Sequence, residues 1–546
     1  MRIIFYTLVL CLVFSCNRKE QADLLVYNAT IYTLDSTFSK ADAMVVENGK
    51  IVATGHKDVL QNRYNTIQQL DAAGKFIYPG FIDAHAHFVG YAKGLTELNL
   101  TETKSWEEIV KKLDTHKSSI ADTTSWIIGR GWDQNDWPDK AFPNNEKLNT
   151  LFPNQPVYLV RIDGHAAIAN NKALELAFIK PEDKITGGEY VTNKGKLTGL
   201  LIDNALNKVV DIIPDLKEDI LKAALVKAQQ NCFAQGLTSI HDCGLDFKEV
   251  ERIEQFQKLG DLRMRLYILL SDAPKNYQYL TKRGTIKTDY LSVRGFKLYA
   301  DGALGSRGAC LLHDYTDKPG WKGFLLSTAN HFDSMAAVIA RNKWQMCTHA
   351  IGDSGIRTML KIYAKHLMQK NDLRWRIEHA QVVDKDDFHF FEAYSIIPSV
   401  QPTHATSDMY WADDRLGQER IQVAYAYQQL LQQNNWLPLG TDFPVEDISP
   451  FKTFYAAVVR KDAKGDPADG FQKENALTRE QVLRGMTIWA AKAAFEEKEK
   501  GSLERGKFAD FIILDKDLMN VAEKDLLNIK VLKTYLGGEP VFIRKQ

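Results

Sequence analysis

The sequence has no excess of either charge. Lysine and arginine together number 69, as do aspartate and glutamate, so the formal net charge of the 546 residues is zero. Proteins that bind nucleic acid or an anionic membrane through charge carry a basic excess or a basic patch. We therefore predict no nucleic-acid partner and no membrane partner held by charge.

Cysteine is also scarce. Six are present, and the four that lie beyond the N-terminal segment are Cys232, Cys243, Cys310 and Cys347. They show neither C-x-x-C spacing nor a disulfide framework, and we predict that they are buried free thiols. The chain likewise has no heptad pattern, no long low-complexity segment and no repeat of fixed period, which excludes coiled-coil and repeat architectures.

The N-terminal apolar run is too short to span a bilayer comfortably. In MRIIFYTLVLCLVFSC, the stretch 3–14 follows one arginine and ends at Cys16, which is typical of a secretory signal. A cysteine at the cleavage point resembles the lipobox of bacterial lipoproteins. We predict that residues 1–16 are a lipoprotein signal and that Cys16 is lipidated. The protein would then be exported and membrane-anchored, facing the periplasm or the exterior of a bacterium; an ordinary signal peptide is the alternative.

Length and composition indicate a soluble protein of several units. Apolar residues make up 45% and charged residues 25% of the chain, both ordinary for globular proteins, and 546 residues exceed one simple core. Both ends read as short strands, and Asn48-Gly49 between two apolar runs is a strong hairpin signal. We predict that residues 17–78 and 495–546 form one small β-sandwich domain.

The middle of the chain, residues 79–494, alternates β-branched runs with helical patterns, which is typical of βαβ units. The strand candidates are 78–85, 237–243, 265–270, 293–301, 344–350, 374–380, 396–402 and 436–442. Eight such units are what a closed (β/α)8 TIM-type barrel requires. The stretch between the first two candidates is too long for one crossover helix, so we predict an inserted subdomain at about residues 100–230.

Polar side chains fall at the ends of these strand candidates. His85 and His87 in FIDAHAHFVG share one face of an extended strand, where two imidazoles can chelate a divalent ion; for the pair alone, a solvent-facing strand end is the alternative. Four more residues with ligand or base chemistry end other candidates: Lys297, His349, His379 and Asp442. Since parallel barrel strands deliver their C-terminal ends to one face, we predict that all six converge on one site.

Ten stretches match a known family in order. From about residue 24 to the C-terminus they are PGFIDAHAH, DGHAAIANNKAL, LTGLLIDNA, GLTSIHDCG, KLYADGALGSRGA, THAIGD, RIEHAQ, QPTHATSDMYWADDRLG, GTDFPVEDISPF and GSLERGKFADFIILD. One His-x-His is weak evidence, whereas the ordered set is very specific. The chain thus resembles the amidohydrolase superfamily, and within it the YtcJ-like branch (amidohydrolase family 3) that includes N-substituted formamide deformylases.

The resemblance implies a centre of one or two divalent metal ions. It assigns the first, more buried ion to His85, His87 and Asp442, and the second to His349 and His379. Nitrogen and oxygen ligands favour zinc.

For Lys297 the resemblance implies a carbamate, derived from carbon dioxide, that bridges both ions. An ammonium would be repelled by two cations, and carboxylation reverses its charge. Without carboxylation the site would hold one metal ion. An ion pair with Asp301 is the alternative for this lysine.

These roles imply hydrolysis of an amide-type C–N bond in a small molecule: an N-acyl, N-formyl or cyclic amide. Metal ions would activate a water molecule, and Asp442 would accept its proton and pass one to the leaving nitrogen. Three further residues are predicted to contact the substrate: His165, Arg307 and His404. Each has an alternative role, loop stabilisation for the first two and support of a metal ligand for the third.

Two other functions stay open. One is a mononuclear deaminase, or a hydrolase of an ester or another bond, on the same scaffold. The other is a lipoprotein that binds a small molecule without turning it over, although a complete ligand set argues against a pure binder. The number of bound metal ions distinguishes the amide hydrolase from the mononuclear deaminase. A hydrolysis assay tests the alternative of a non-catalytic binding protein. A homodimer is also left open.

Overall fold

The computed structural model describes residues 19–117 and 125–545. The predicted signal, with Cys16, lies outside these residues. Nowhere in the described chain is a helix both long and apolar enough to cross a bilayer. The described residues form three sheets, one built by the two chain ends, one by an insertion and one by the barrel.

The two chain ends pair in one continuous seven-stranded sheet. Its strands, in order across the sheet, are Glu539–Ile543, Val531–Leu536, Phe511–Leu514, Tyr64–Pro79, Glu20–Tyr32, Lys40–Glu47 and Lys50–Gly55. Separate apolar clusters cover its faces, one containing Phe511 and the other Leu60. The predicted hairpin is confirmed, because Glu47 pairs with Lys50 across a two-residue turn whose residues both have positive φ.

The insertion after the first barrel strand has a sheet of its own. Across it lie Gly188–Asn193, Lys196–Asp203, Ala166–Ala169, Val157–Arg161, Ile127–Trp132 and Leu98–Asn99. One apolar cluster contains Trp132 and Trp137, and a second contains Tyr158 and Tyr190. The Trp-rich segment of the sequence therefore builds a core within the insertion.

Parallel strands form the barrel. In order they are Phe81–Ala86, Leu237–Leu245, Arg265–Ser271, Leu291–Tyr299, Gln345–Ala350, Arg376–His379 and Ile397–Ser399, and the short strand Ile286–Lys287 pairs antiparallel with the fourth. Their residues are almost all buried, since side chains fill the barrel inside and helices cover it outside.

The eighth predicted strand, 436–442, lies in the closing position without forming a regular ladder. The Leu439 carbonyl accepts a 3.1 Å hydrogen bond from the first strand, and the Gly440 N–H donates one of 3.1 Å to Val400, just after the seventh strand. The Val400 N–H also donates a 3.3 Å hydrogen bond to the Pro438 carbonyl, whereas Pro438 itself has no N–H to extend the ladder. The barrel with a terminal sheet and an insertion confirms the predicted fold class.

Helices connect the strands, and several begin at side-chain caps. Asp246, Thr328 and Thr478 each accept a backbone N–H at a helix N-terminus. The α-helices are Lys57–Arg63, Phe88–Gly94, Trp106–Lys117, Glu146–Leu151, Asn171–Leu176, Asn207–Val210, Glu218–Ala234, Phe247–Lys258, Pro274–Arg283, Ala329–Arg341, Asp353–Leu367, His389–Ala393, Pro402–Asp408, Ala412–Arg420, Tyr427–Asn434, Pro450–Val459, Arg479–Gly485 and Ile488–Ala493. The 3₁₀ helices are Gln134–Asp136, Asn204–Leu206, Ile421–Val423, Lys473–Asn475 and Glu523–Asn528.

Candidate metal centre

The six strand-end residues lie together at the C-terminal mouth of the barrel. Five of them line one cavity of about 730 Å³: His87, Lys297, His349, His379 and Asp442. His85 is fully buried beside them, with its ring centroid 4.8 Å from that of His379. The parallel strands thus bring together side chains that are far apart in sequence.

Glu378 orients His85. Its Oε2 lies 2.6 Å from Nδ1 of His85, and both side chains are fully buried. Burial would raise the pKa of Glu378, but His85 and Arg376 lower it to about 2, so the carboxylate is charged and accepts the Nδ1–H. The other ring nitrogen, Nε2, lies 3.5 Å from Oδ1 of Asp442. A carboxylate that fixes the tautomer of an imidazole in this way is typical of metal-binding histidines.

Asp442 lies between two imidazoles. Its Oδ1 is 3.2 Å from Nε2 of His87, and its Oδ2 is 3.2 Å from Nε2 of His404. Burial opposes ionisation of Asp442, but hydrogen bonding to His404 and the nearby His85 hold its pKa well below the usual range. Nδ1 of His404 lies 3.2 Å from Oε1 of Glu446. With both ring nitrogens occupied, His404 supports Asp442 and has no nitrogen free for a substrate.

His349 and His379 face each other across the cavity wall, with ring centroids 4.5 Å apart. Burial, reinforced by nearby positive groups, lowers the pKa of both well below the usual value. They are therefore neutral, the form that binds metal ions. Nδ1 of His379 is buried and has no hydrogen-bond partner in the described part of the chain. An orphaned buried nitrogen is costly, which indicates a ligand at this point.

Two site residues have a left-handed backbone. The angle φ is 71° at His379 and 65° at Asp442. For a residue other than glycine this costs about 1 kcal/mol or more, and such strain concentrates at functional sites. The surrounding structure holds the conformation: the Asp442 N–H, for example, donates a 2.8 Å hydrogen bond to the carbonyl of His85.

The Lys297 amine ends among these groups. Its Nζ lies 3.4 Å from Nε2 of His85 and 4.5 Å from the ring centroid of Tyr299. Burial would lower the pKa of Lys297, but Tyr299, Cys243 and Glu378 raise it above the usual value. These surroundings therefore favour the ammonium form of the side chain.

Asp301 does not pair with Lys297. Its two carboxylate oxygens accept hydrogen bonds of 2.8 to 3.0 Å from the backbone N–H groups of Cys310, Ile351 and Gly352. Within residues 19–117 and 125–545, no carboxylate oxygen lies within 4.0 Å of the Lys297 amine. The ion-pair alternative for this lysine therefore has no support in the structure.

The donor set fits a divalent cation. One ligand atom from each of His85, His379 and Asp442 lies within 4.8 Å of the others, a separation that one ion can bridge with bonds of about 2.0–2.2 Å. Oδ1 of Asp442 is buried without a hydrogen-bond partner that meets normal geometry among the described residues. Neutral imidazoles with a charged carboxylate are the ligands that zinc prefers.

The insertion contributes His165 to the cavity. Nδ1 of His165 lies 2.6 Å from Oδ1 of Asp203, and its ring centroid is 4.9 Å from that of His349. Burial lowers the pKa of His165, but Asp203 outweighs it and raises the pKa above the usual value. Gly302 and Gly308 make room for Asp203, because a Cβ there would lie 2.5 and 2.3 Å from its carboxylate oxygens. His165, predicted to contact the substrate, thus lies beside the metal-centre residue His349.

Arg307 is not brought to the cavity. Its Nη2 donates a 2.7 Å hydrogen bond, and its Nε one of 3.2 Å, to the two carboxylate oxygens of Asp317. This pairing matches the loop-stabilising alternative for Arg307.

Several cavity residues were not predicted from the sequence: Arg130, Arg161, Tyr299, Gln381 and Glu446. The first two lie in the insertion, in the segments GRGWDQNDWPDK and RIDGHAAIANNKAL. Their polar character was visible, but their position over the barrel depends on how the inserted sheet packs. No local pattern encodes that packing.

Known proteins resemble this chain over nearly its whole length. A sequence profile described as Amidohydrolase family matches residues 68–542. Protein LONG AFTER FAR-RED 3 of Arabidopsis thaliana is 31% identical over 95% of this chain and 92% of its own length. The putative amidohydrolase YtcJ of Bacillus subtilis is 27% identical over 94% of this chain and 98% of its own.

Two further matches concern chemistry and fold. The N-substituted formamide deformylase of Arthrobacter pascens is 26% identical over 95% of this chain and 98% of its own. A crystal structure of an uncharacterized metal-dependent hydrolase from Pyrococcus horikoshii superposes with a TM-score of 0.75 at 26% identity, covering 92% of this chain and 99% of that one. These matches confirm the resemblance predicted from the ten sequence stretches.

Proposed function

Because the chain belongs to the amidohydrolase family, we propose that it hydrolyses an amide-type C–N bond of a small molecule, an N-acyl, N-formyl or cyclic amide. The observation that carries the proposal is the donor set in which His85, His379 and Asp442 approach one another within 4.8 Å at the barrel mouth. The named activity of the deformylase relative, which matches almost the entire chain, supports the choice of bond.

The metal ions would be held by the strand-end residues. With two ions, His85, His87 and Asp442 are proposed to bind one and His349 and His379 the other; with a single ion, the converging donors would be His85, His379 and Asp442. When bound, divalent ions lower the pKa of water and polarise a carbonyl. Glu378 holds Nδ1 of its neighbour His85 by a 2.6 Å contact, which leaves Nε2 to act as the ligand.

Asp442 is the proposed proton carrier. It accepts a proton from the attacking water and delivers one to the leaving nitrogen, since an amine departs far more easily than its anion. His404 keeps Asp442 ionised and in place through the 3.2 Å contact with Oδ2. The inserted subdomain, which brings His165 to the cavity, would limit access of bulk water.

Lys297 is proposed to carry a carbamate when metal ions are present. Without them, its surroundings favour an ammonium. Two adjacent cations would reverse that preference, because they repel the ammonium and bind the anionic carbamate. Carboxylation and metal binding are therefore expected to occur together.

The proposed location is extracytoplasmic, with Cys16 lipidated and holding the enzyme at a bacterial membrane. The support is the sequence of residues 1–16 alone. Assembly as a homodimer stays a prediction.

The experiment that tests the function is a turnover assay of the purified, zinc-loaded protein against N-formyl amines, N-acyl amines and cyclic amides. Asp442→Asn protein, prepared identically, controls for contaminating hydrolases. We expect release of amine or ring opening for at least one class with the wild type only. Release of ammonia from an aminopurine, without any amide hydrolysis, would favour the deaminase alternative. If the metal-replete protein hydrolyses none of these compounds, the result would support the alternative of a lipoprotein that binds a small molecule without turning it over.

A further inference from the structure

Arg130 is a cation in the cavity wall without a carboxylate to neutralise it. It lies within the inserted strand Ile127–Trp132, in the GRGWDQNDWPDK segment, and lines the same cavity as His87 and Asp442. Its Nη2 donates a 3.1 Å hydrogen bond to the carbonyl of Ile162, whereas its buried Nε has no hydrogen-bond partner in the described structure. No carboxylate oxygen of residues 19–117 or 125–545 lies within 4.0 Å of the guanidinium.

Apart from the residues of the metal centre, two other basic side chains of this wall are paired with carboxylates. Arg161, which is buried, pairs with both Asp133 and Asp163. At the rim, Lys452 pairs with Asp447 at 2.8 Å. Asp133 and Asp163 are therefore engaged by a different arginine, and the positive charge of Arg130 is left for something that enters the cavity.

Arg130 is placed to act on a molecule bound at the metal centre. Burial lowers its pKa, and the acidic groups that oppose this effect, which include Glu97, Asp163 and Asp442, act over a distance without contact. The guanidinium N–H groups of Arg130 that do not bond to Ile162 belong to a planar fork whose geometry matches a carboxylate. A monoanion suits the site better than a dianion, because several carboxylates also line the cavity.

We infer that Arg130 binds a carboxylate of the substrate, so that the enzyme acts on N-acyl or N-formyl amino acids rather than on uncharged amides. In such molecules the carboxylate is two bonds from the scissile nitrogen. One substrate molecule can therefore place its amide at the metal centre and its carboxylate against Arg130 in the same cavity wall. The inference rests on the proposed amide hydrolysis and specifies its substrate class.

The test compares N-formylphenylalanine with N-formyl-2-phenylethylamine, which differ only in the carboxylate. Loss of a charge-assisted hydrogen bond in a water-poor cavity costs about tenfold or more. We expect the zinc-loaded wild type to prefer the carboxylate compound by at least about that factor in kcat/KM, and Arg130→Met to lose most of this preference. Arg130→Lys, which keeps the charge but not the fork, should retain part of it.

Arg307→Met is the matched control, because that arginine pairs with Asp317 outside the cavity; it should keep the wild-type preference. The inference is overturned if the wild type does not prefer the carboxylate compound, or if Arg130→Met slows both substrates equally. If neither compound is hydrolysed, the proposed function is at fault, and calorimetric binding of N-formylphenylalanine decides the inference. At least fivefold weaker binding to Arg130→Met than to wild type then supports it, and a smaller difference contradicts it.

Discussion

Asp442 and His404 form a hydrogen-bonded pair in which Oδ2 of the carboxylate lies 3.2 Å from Nε2 of the imidazole. Burial would lower the pKa of His404, but Asp442 and Glu446 together raise it well above the usual value. The imidazole is therefore cationic and holds Asp442 as a carboxylate beside His85 and His87. A carboxylate kept ionised in this way can bind a metal ion and can accept a proton.

Asp442→Asn should abolish most turnover while preserving the fold. An amide cannot carry the proton and is a poorer metal ligand, and loss of general acid–base catalysis alone costs about 10² to 10⁴ in rate. Steady-state kinetics on the best amide substrate, together with circular dichroism, measure both effects. Asp447→Asn, which removes a rim carboxylate paired with Lys452, is the control and should retain most activity. Near-normal turnover of Asp442→Asn would place the proton carrier elsewhere.

Lys297→Ala should lose the second metal ion and most activity. A short carboxylic acid added to the buffer should partly restore both, since it can supply the bridging anion that the carbamate would provide. Lys297→Arg should not be rescued, because its guanidinium keeps its charge and fills the space. Metal content by mass spectrometry is read alongside activity. Full metal content and activity in Lys297→Ala would rule out a bridging role.

Cys16→Ser should release the protein from the membrane fraction of the cells that produce it. A cysteine carrying two or three acyl chains anchors firmly, whereas the unlipidated chain has no basic excess to hold it at a membrane. Cys11→Ser, in the same apolar stretch, is the matched control and should stay membrane-bound. Fractionation and immunoblotting give the readout, and equal retention of both variants would contradict the anchor.

Asp510→Asn should destabilise the junction between the terminal sheet and the barrel. Asp510 accepts hydrogen bonds of 2.7 and 2.9 Å from the buried guanidinium of Arg265. Removing one partner of a buried ion pair leaves the other charge uncompensated and costs about 3 kcal/mol or more. Glu539→Gln breaks the exposed pair with Arg263 and should cost less than about 1 kcal/mol. Urea unfolding of both variants measures the difference, and equal losses would refute it.

Much of the architecture could be predicted from the sequence. The pattern of apolar runs and helical segments predicted the barrel strands. The Asn48-Gly49 turn predicted a hairpin, and the flanking strands pair there. Cys232, Cys243 and Cys347 are buried free thiols as predicted, while Cys310 is half-buried. The last barrel segment was predicted as a regular strand, but it pairs through an isolated bridge and scattered backbone bonds, and its proline supplies no donor.

The candidate site was predictable in part, for a physical reason. Ligand-type residues at strand ends must meet because parallel strands share one face. Contacts between distant elements carry no such local signal. Glu378 is visible in RIEHAQ, yet its contact with His85 spans 293 positions. The same limit applies to Arg130 and Arg307, whose positions relative to the cavity follow from how the insertion and a long loop pack.

The proposal of a metal-dependent hydrolase is tested most directly by anomalous diffraction at the zinc edge from crystals of the active enzyme. We predict a peak within about 2.0–2.2 Å of ligand atoms from His85, His87 and Asp442. A second peak is predicted at His349 and His379, with density on Lys297 Nζ extending between the two. Chelation should remove both peaks together with turnover, and zinc should restore them. An active enzyme whose crystals show no anomalous peak at these residues would contradict the account.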